Sequence, residues 1–248
     1  QLREELAHIY ATKRHVQDET SLTSMREYAQ PFIVQLYEVT KRAFIAYWRN
    51  PLYIYTKLML NFVSGLGVGS SFYKEGEKNY YIALQNRLFA SFMALVSATS
   101  LSQHLQPEFI RFRGLFEVRE KPSKMYTWPV MVLSALIVEI PWNLFGGTTY
   151  WLPWYYLIHF PTDNKHAGYS WGLYMLFQIY YCTFAQAMAA VSPNAMIASI
   201  LFSTFFSFVV VFCGVVQPPD LLPSFWKAWM YLVSPFFWIM EGMLGMVV

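Results

Sequence analysis

The chain predicts an all-α polytopic membrane protein, and three observations carry that prediction. Five stretches are long and apolar enough to cross a bilayer, whose ~30 Å hydrocarbon core takes roughly 20 residues of helix. Basic residues gather almost entirely on one side of those stretches. The composition is 56% hydrophobic, 19% aromatic and only 13% charged, against about 25% charged residues in a soluble domain. With so few charges, the formal net charge of +3 is no nucleic-acid signal, because the cations sit where membrane topology needs them.

The elements follow in chain order. Residues 1–30 are polar and helix-like, hold no signal-peptide core and do not begin with Met, so the chain reads as a fragment or a domain cut from something longer. Residues 31–49 are amphipathic. Ile33, Tyr37, Thr40, Phe44 and Tyr47 recur at helical spacing, with Gln35, Glu38, Arg42 and Arg49 on the other face. Such a helix lies along the inner membrane surface or packs on a soluble partner, and the two are compatible.

Spans follow at 52–72, 88–105, 125–158, 169–191 and 195–216. The first carries only Lys57, near its start, where the ammonium can snorkel to the interface. Gly65-x-x-x-Gly69 within it reads as a close helix-packing face. The second carries only His104, at its end, and the third only Glu139; the last two carry no charge. As a straight helix the third would be about 50 Å long. Pro129, Pro141 and Pro153 punctuate it, which predicts a tilted or kinked helix. Trp128 is expected in the inner aromatic belt, and Trp151, Trp154, Tyr155 and Tyr156 in the outer one. Pro218-Pro219-Asp220 stops the fifth helix, and Pro223 and Pro235 break the aromatic stretch after it. Residues 221–248 therefore read as a re-entrant segment, tolerated in lipid only where it packs on protein. A spanning helix over 228–248 is the rival.

Residues 1–49 hold seven Lys and Arg and the 106–124 loop holds five, whereas 160–168 hold one and 192–194 none. The positive-inside rule puts the N-terminus and the 106–124 loop in the cytosol. That loop, QPEFIRFRGLFEVREKPSK, places Phe109, Phe112, Leu115, Phe116 and Val118 among charges of both signs. It predicts a cytosolic helix that docks on another protein through Glu117, Arg119 and Glu120; a solvated topogenic loop is the alternative. Cys182 and Cys213 have no ligand spacing and read as small packing residues. No constellation for catalysis or a metal converges.

Several motifs together resemble the G-type ABC transporter membrane domain (ABC-2 type). They are Arg119–Trp128 (REKPSKMYTW), Glu139-Ile140-Pro141, Phe212–Val216 (FCGVV), Pro223–Trp226 (PSFW) and Tyr231–Gly242 (YLVSPFFWIMEG). They are most similar to the C-terminal membrane half of the fungal pleiotropic-drug-resistance branch. The resemblance covers residues 30–248. It implies a six-span domain of which five spans are present and the sixth is missing, an elbow helix at 31–49 and a re-entrant segment at 221–248. Residues 1–30 would lead out of a nucleotide-binding domain.

By the same resemblance the parent is an ATP-driven exporter of the plasma membrane. It would move hydrophobic drugs or lipids by alternating access, with nucleotide-binding domains and a second membrane half as partners. ATP and Mg would belong to those domains. This chain has no G-x-x-x-x-G-K-[ST] loop and is expected to hold no cofactor or metal. The family's second and fifth spans line a central cavity. That implies Val96, Thr99 and Ser100 on one span and Phe202, Ser203, Phe206, Ser207 and Val210 on the other. On the residues alone, phenyl rings with sparse hydroxyls suit apolar molecules, but an aromatic stripe also serves helix packing. Val215 and Val216 would form an exit valve, and Glu117, Arg119 and Glu120 would couple to the nucleotide-binding domain. Glu139 and Glu241 are intramembrane ionisable groups and earn a functional hypothesis by default. Glu139 either pairs with a neighbouring helix or takes backbone amides freed near Pro141; Glu241 would sit near the exit. Two rivals stand. An ion-coupled carrier or channel would place several ionisable groups at mid-membrane, and a non-transporting membrane scaffold would need no cavity.

Overall fold

The computed structural model describes residues 3–5, 9–10, 28, 30–74, 80–161, 163–217 and 222–245, with no strand among them. Most of the expected 1–30 linker, the Pro218-Pro219-Asp220 stop and the last three residues of the expected re-entrant segment lie outside the described residues. The helices are α1 (Phe32–Trp48), α2 (Pro51–Ser71), α3 (Tyr80–Val96), α4 (Ala98–Leu115), a π-helical turn (Phe116–Glu120), α5 (Trp128–Ile158), α6 (Asn164–Val191), α7 (Ala195–Val211), α8 (Ser224–Val233) and α9 (Pro235–Leu244). Prolines set several boundaries. Pro51 and Pro235 open α2 and α9, where a missing N–H costs no hydrogen bond.

Two described helical runs, Tyr81–Glu120 of 40 residues and Trp128–Ile158 of 31, are long and apolar enough to cross a bilayer. The stretch expected to span at 88–105 is thus the middle of a longer rod. α3 and α4 meet at Ser97, whose N–H still bonds the Met93 carbonyl at 3.2 Å. The helix expected over 195–216 stops at Val211. Gly214 takes φ +86°, a conformation that suits glycine, and a Cβ there would meet the Tyr231 ring at 3.1 Å.

α5 is the hub, with α1, α2 and α6 packed along it. α2 approaches it backbone to backbone. A Cβ on Gly65 would lie 2.4 Å from the Tyr150 carbonyl oxygen, and one on Gly69 2.9 Å from that of Pro153. This is the close packing that the small-x-x-x-small spacing predicts. α9 folds back onto α3 and α6 and buries Phe236, Met240 and Met243 in the main core, whereas α8 buries no residue.

The expected outer aromatic belt is corrected. Trp151, Trp154 and Tyr155 are buried in the core. The Trp154 indole N–H donates to the Ala90 carbonyl at 3.1 Å and that of Trp151 to the Ser170 hydroxyl at 3.0 Å. Trp151 stacks on Tyr155 at 4.7 Å. Satisfied polar handles let these rings pack between helices. Only Tyr156 of that group is exposed, as is Trp128 at the other end of α5.

Candidate functional site

α4 and α7 lie side by side, joined through Phe109, Ala189 and Ala198. These two helices and the end of α3 divide the residues expected to line a cavity. Ser100 and Ser207 are exposed, and Val96, Thr99, Ser203 and Val210 are half-buried. Phe202 and Phe206 are 0% and 5% exposed. They stack on each other at 5.4 Å, Phe202 meets Phe184 at 5.6 Å, and Phe206 meets Phe236 edge-on at 5.1 Å. The i, i+4 spacing does put the two rings on one face, but it is the face packed against α6 and α9. In this conformation they join helices and line no open surface.

The outward face of α7 instead carries Thr204, Ser207, Phe208 and Val211, all exposed. Their i, i+3, i+4, i+7 spacing was the available signal for this face. Its hydroxyls are spoken for as donors. Thr204 donates to the Ile200 carbonyl at 2.9 Å and Ser207 to that of Ser203 at 2.7 Å; on α4, Thr99 donates to Val96 at 3.0 Å. Each hydroxyl oxygen keeps acceptor capacity. The surface is therefore apolar with scattered acceptors.

At one end of the bundle, the π-helical turn separates the three residues expected to act together. Glu120 turns inward, while Glu117 and Arg119 stay exposed. The Arg42 guanidinium on α1 grips both Glu120 carboxylate oxygens, and the Tyr126 hydroxyl donates to the same carboxylate. Arg42 also donates to the Tyr126 oxygen at 3.2 Å. Burial alone would raise the Glu120 carboxyl, but the hydrogen bonds from Arg42 and Tyr126 and the nearby positive charge outweigh it and hold it below the usual carboxylate range.

Its stabilising contribution is then present above the unfolded carboxylate value, about 4.3, and is lost as pH falls through the lower folded value. Glu120→Gln is expected to lower stability by about 1–2 kcal/mol at pH 7. Thermal melts of the detergent-solubilised protein should show that difference shrinking on acidification. Identical melts at pH 7 would remove the stabilising role.

Arg113, counted in the sequence only as a topogenic charge, holds a second junction. It donates to the carbonyls of Ala189, Ala190 and Ser192 at 2.8, 2.9 and 2.7 Å. These are end-of-helix carbonyls of α6 and its cap, which lack intrahelical partners and favour a cation. Gln106 adds a bond from its amide to the Ala198 carbonyl of α7 at 3.2 Å. One segment, 106–120, is thereby tied to α1 through Glu120 and to the α6–α7 corner through Arg113.

Glu139 takes the neighbouring-helix alternative rather than the amides near Pro141. Lys57 Nζ lies 2.6 Å from its Oε2, and the Tyr53 hydroxyl donates to Oε1 at 2.7 Å. Lys57 is 5% exposed and Glu139 0%. The expected snorkelling of Lys57 is corrected: its carboxylate partner within the bundle holds the ammonium inward. Glu241 is exposed on α9, Val215 is half-buried and Val216 is exposed on the turn after α7.

Residues 34–248 match the ABC-2 type transporter family. The chain is similar to the brefeldin A resistance protein of Schizosaccharomyces pombe, 44% identical over 247 residues that cover 97% of this chain and 16% of the relative. It is 39% identical over 230 residues to the ABC multidrug transporter atrG of Aspergillus oryzae, covering 90% of this chain and 15% of that protein. It is 39% identical over 229 residues to the ABC multidrug transporter C of Aspergillus fumigatus, covering 90% and 15%. The chain thus spans 15–16% of the length of these relatives.

Proposed function

Because the chain belongs to the ABC-2 type transporter family, and so is an integral membrane protein, we propose that it is a transmembrane half of an ATP-driven exporter of hydrophobic drugs or lipids. The observation that carries this is the outward α4–α7 face, apolar with acceptor oxygens at Thr99, Thr204 and Ser207, in a chain whose relatives are named for multidrug transport and drug resistance.

In this reading five stretches cross the plasma membrane, with residues 1–49 and 106–124 in the cytosol, and residues 1–30 lead out of a nucleotide-binding domain that holds ATP and Mg. A second membrane half faces α4 and α7 and completes the cavity. Exposed Glu117 and Arg119 meet the nucleotide-binding domain, and segment 106–120 passes its displacement to α1 through Glu120 and to α7 through Arg113. Val215 and Val216 bound the exit, with Glu241 beside it. Net export requires that ATP drive the switch from the inward to the outward state, and that substrate bind the inward state better than the outward one. An ion-coupled carrier needs a mid-membrane carboxylate free for its ion; Glu139 is already held by Lys57 and Tyr53.

The test is efflux of fluorescent hydrophobic dyes from cells expressing the full-length parent. Phe208→Ala and Ser207→Val are expected to shift efflux several-fold and unequally between dyes at unchanged surface abundance. Phe202→Ala, a core truncation of about 3–5 kcal/mol, is expected to lower abundance instead. Efflux of every dye unchanged in Phe208→Ala would remove the α4–α7 face from the pathway. Efflux that survives ATP depletion would overturn the exporter reading.

A further inference from the structure

The two flanks of α1 differ in chemistry. One flank forms a groove of about 300 Å³ against Met125 and Tyr126, with Gln30, Gln35, Glu38 and Arg42 in its lining. The other forms a groove of about 650 Å³ whose walls are Ile33, Tyr37, Phe44 and Ile45 of α1 and Ile137 of α5. Lys41 is the only charged residue lining it, and Glu38 lines the opposite flank. The Lys41 ammonium lies 5.9 Å from the Tyr37 ring centre, and no ion pair holds it among the described residues.

The groove also has a direction. Ile137 stands nine residues along α5 from the exposed Trp128, about 14 Å further on. The wall therefore runs from an interfacial helix down a helix long enough to cross a bilayer.

We propose that this groove binds an anionic phospholipid of the surrounding bilayer. One acyl chain lies along Ile33, Tyr37, Phe44, Ile45 and Ile137, and the phosphate-bearing headgroup sits at Lys41. An apolar channel open to lipid accepts any acyl chain. The single cation at its rim, with the acid turned to the other flank, selects the headgroup charge. This rests on the placement of α1 at the membrane surface and not on the direction or existence of transport.

The experiment uses the full-length parent in nanodiscs containing a photoactivatable acyl chain on either phosphatidylserine or phosphatidylcholine, with labelled peptides identified by mass spectrometry. Phosphatidylserine is expected to label the 33–45 and 137 peptides about five-fold more than phosphatidylcholine, the effect of one basic side chain near a lipid surface. Lys41→Gln, at an exposed position where folding is not at stake, should abolish that preference. Ile137→Trp should reduce labelling by both lipids. Equal labelling by the two lipids, or a preference that survives Lys41→Gln, would overturn the headgroup assignment. Labelling of neither peptide would mean that protein covers the groove, which overturns the proposal. Dye efflux from cells expressing the same variants reads the exporter function separately, so its failure leaves this result interpretable.

Discussion

Lys57→Met is expected to cost about 3–5 kcal/mol, because it strands a fully buried carboxylate. Glu139 has no exposure, and the hydrogen bond from Tyr53 to Oε1 at 2.7 Å leaves Oε2 without the ammonium that now sits 2.6 Å away. Glu139→Gln strands the ammonium instead, with a loss of similar size. The double variant Lys57→Met/Glu139→Gln removes both charges and keeps an acceptor for Tyr53, so what is left unpaired is an amide N–H, costing about 1–3 kcal/mol, in place of a buried charge. The expected order in thermal melts and membrane yield is therefore wild type, then the double variant, then both single variants. A single variant as stable as the wild type would show that the pair is solvated or dispensable, and the account of α2 against α5 would fail with it.

Gly65→Ala is the second large effect. The new Cβ would sit 2.4 Å from the Tyr150 carbonyl oxygen and 3.0 Å from its Cα. These obstacles are backbone, so no rotamer change relieves them and the two helices must part. Overpacking of this kind costs about 1–3 kcal/mol or more, and here it also disturbs Tyr150, which is fully buried and stacked on Tyr174 at 5.1 Å. Gly67 supplies the internal control. Nothing lies within 4 Å of a Cβ there, so Gly67→Ala is expected to be neutral or to gain up to about 1 kcal/mol of helix propensity. Equal melting temperatures for the two alanine variants would refute the close approach.

Much of this was legible from the residues. Hydropathy placed the long helices, the small-residue spacing on α2 marked its contact face, and the mixed loop after residue 105 was rightly read as helical. Two kinds of information were not. Periodicity assigns residues to a common face without saying whether that face looks inward. Phe202 and Phe206 were grouped correctly and aimed wrongly, and Trp151 and Trp154 were set at a surface although their indole N–H groups have partners inside. Pairings between distant segments leave no local trace. Lys57 and Glu139 are 82 positions apart, and Arg113 reaches a carbonyl 76 positions away. A cation near a helix end looks alike in sequence whether it faces lipid headgroups, a carboxylate or the end of another helix.

The glycine contacts on α2 bear on how the bundle can move. Where carbonyls touch Cα positions directly, a slip of one residue along the axis would drive a side chain into a carbonyl, and the ion pair at Lys57 would break in the same step. α2 and α5 are therefore held in register by their backbones. The contacts among α6, α7 and α9 are of another kind: phenyl rings meet there, Phe177 and Phe206 edge-on to Phe236 and Phe184 against Phe202, and rings can tilt past one another where touching backbones cannot.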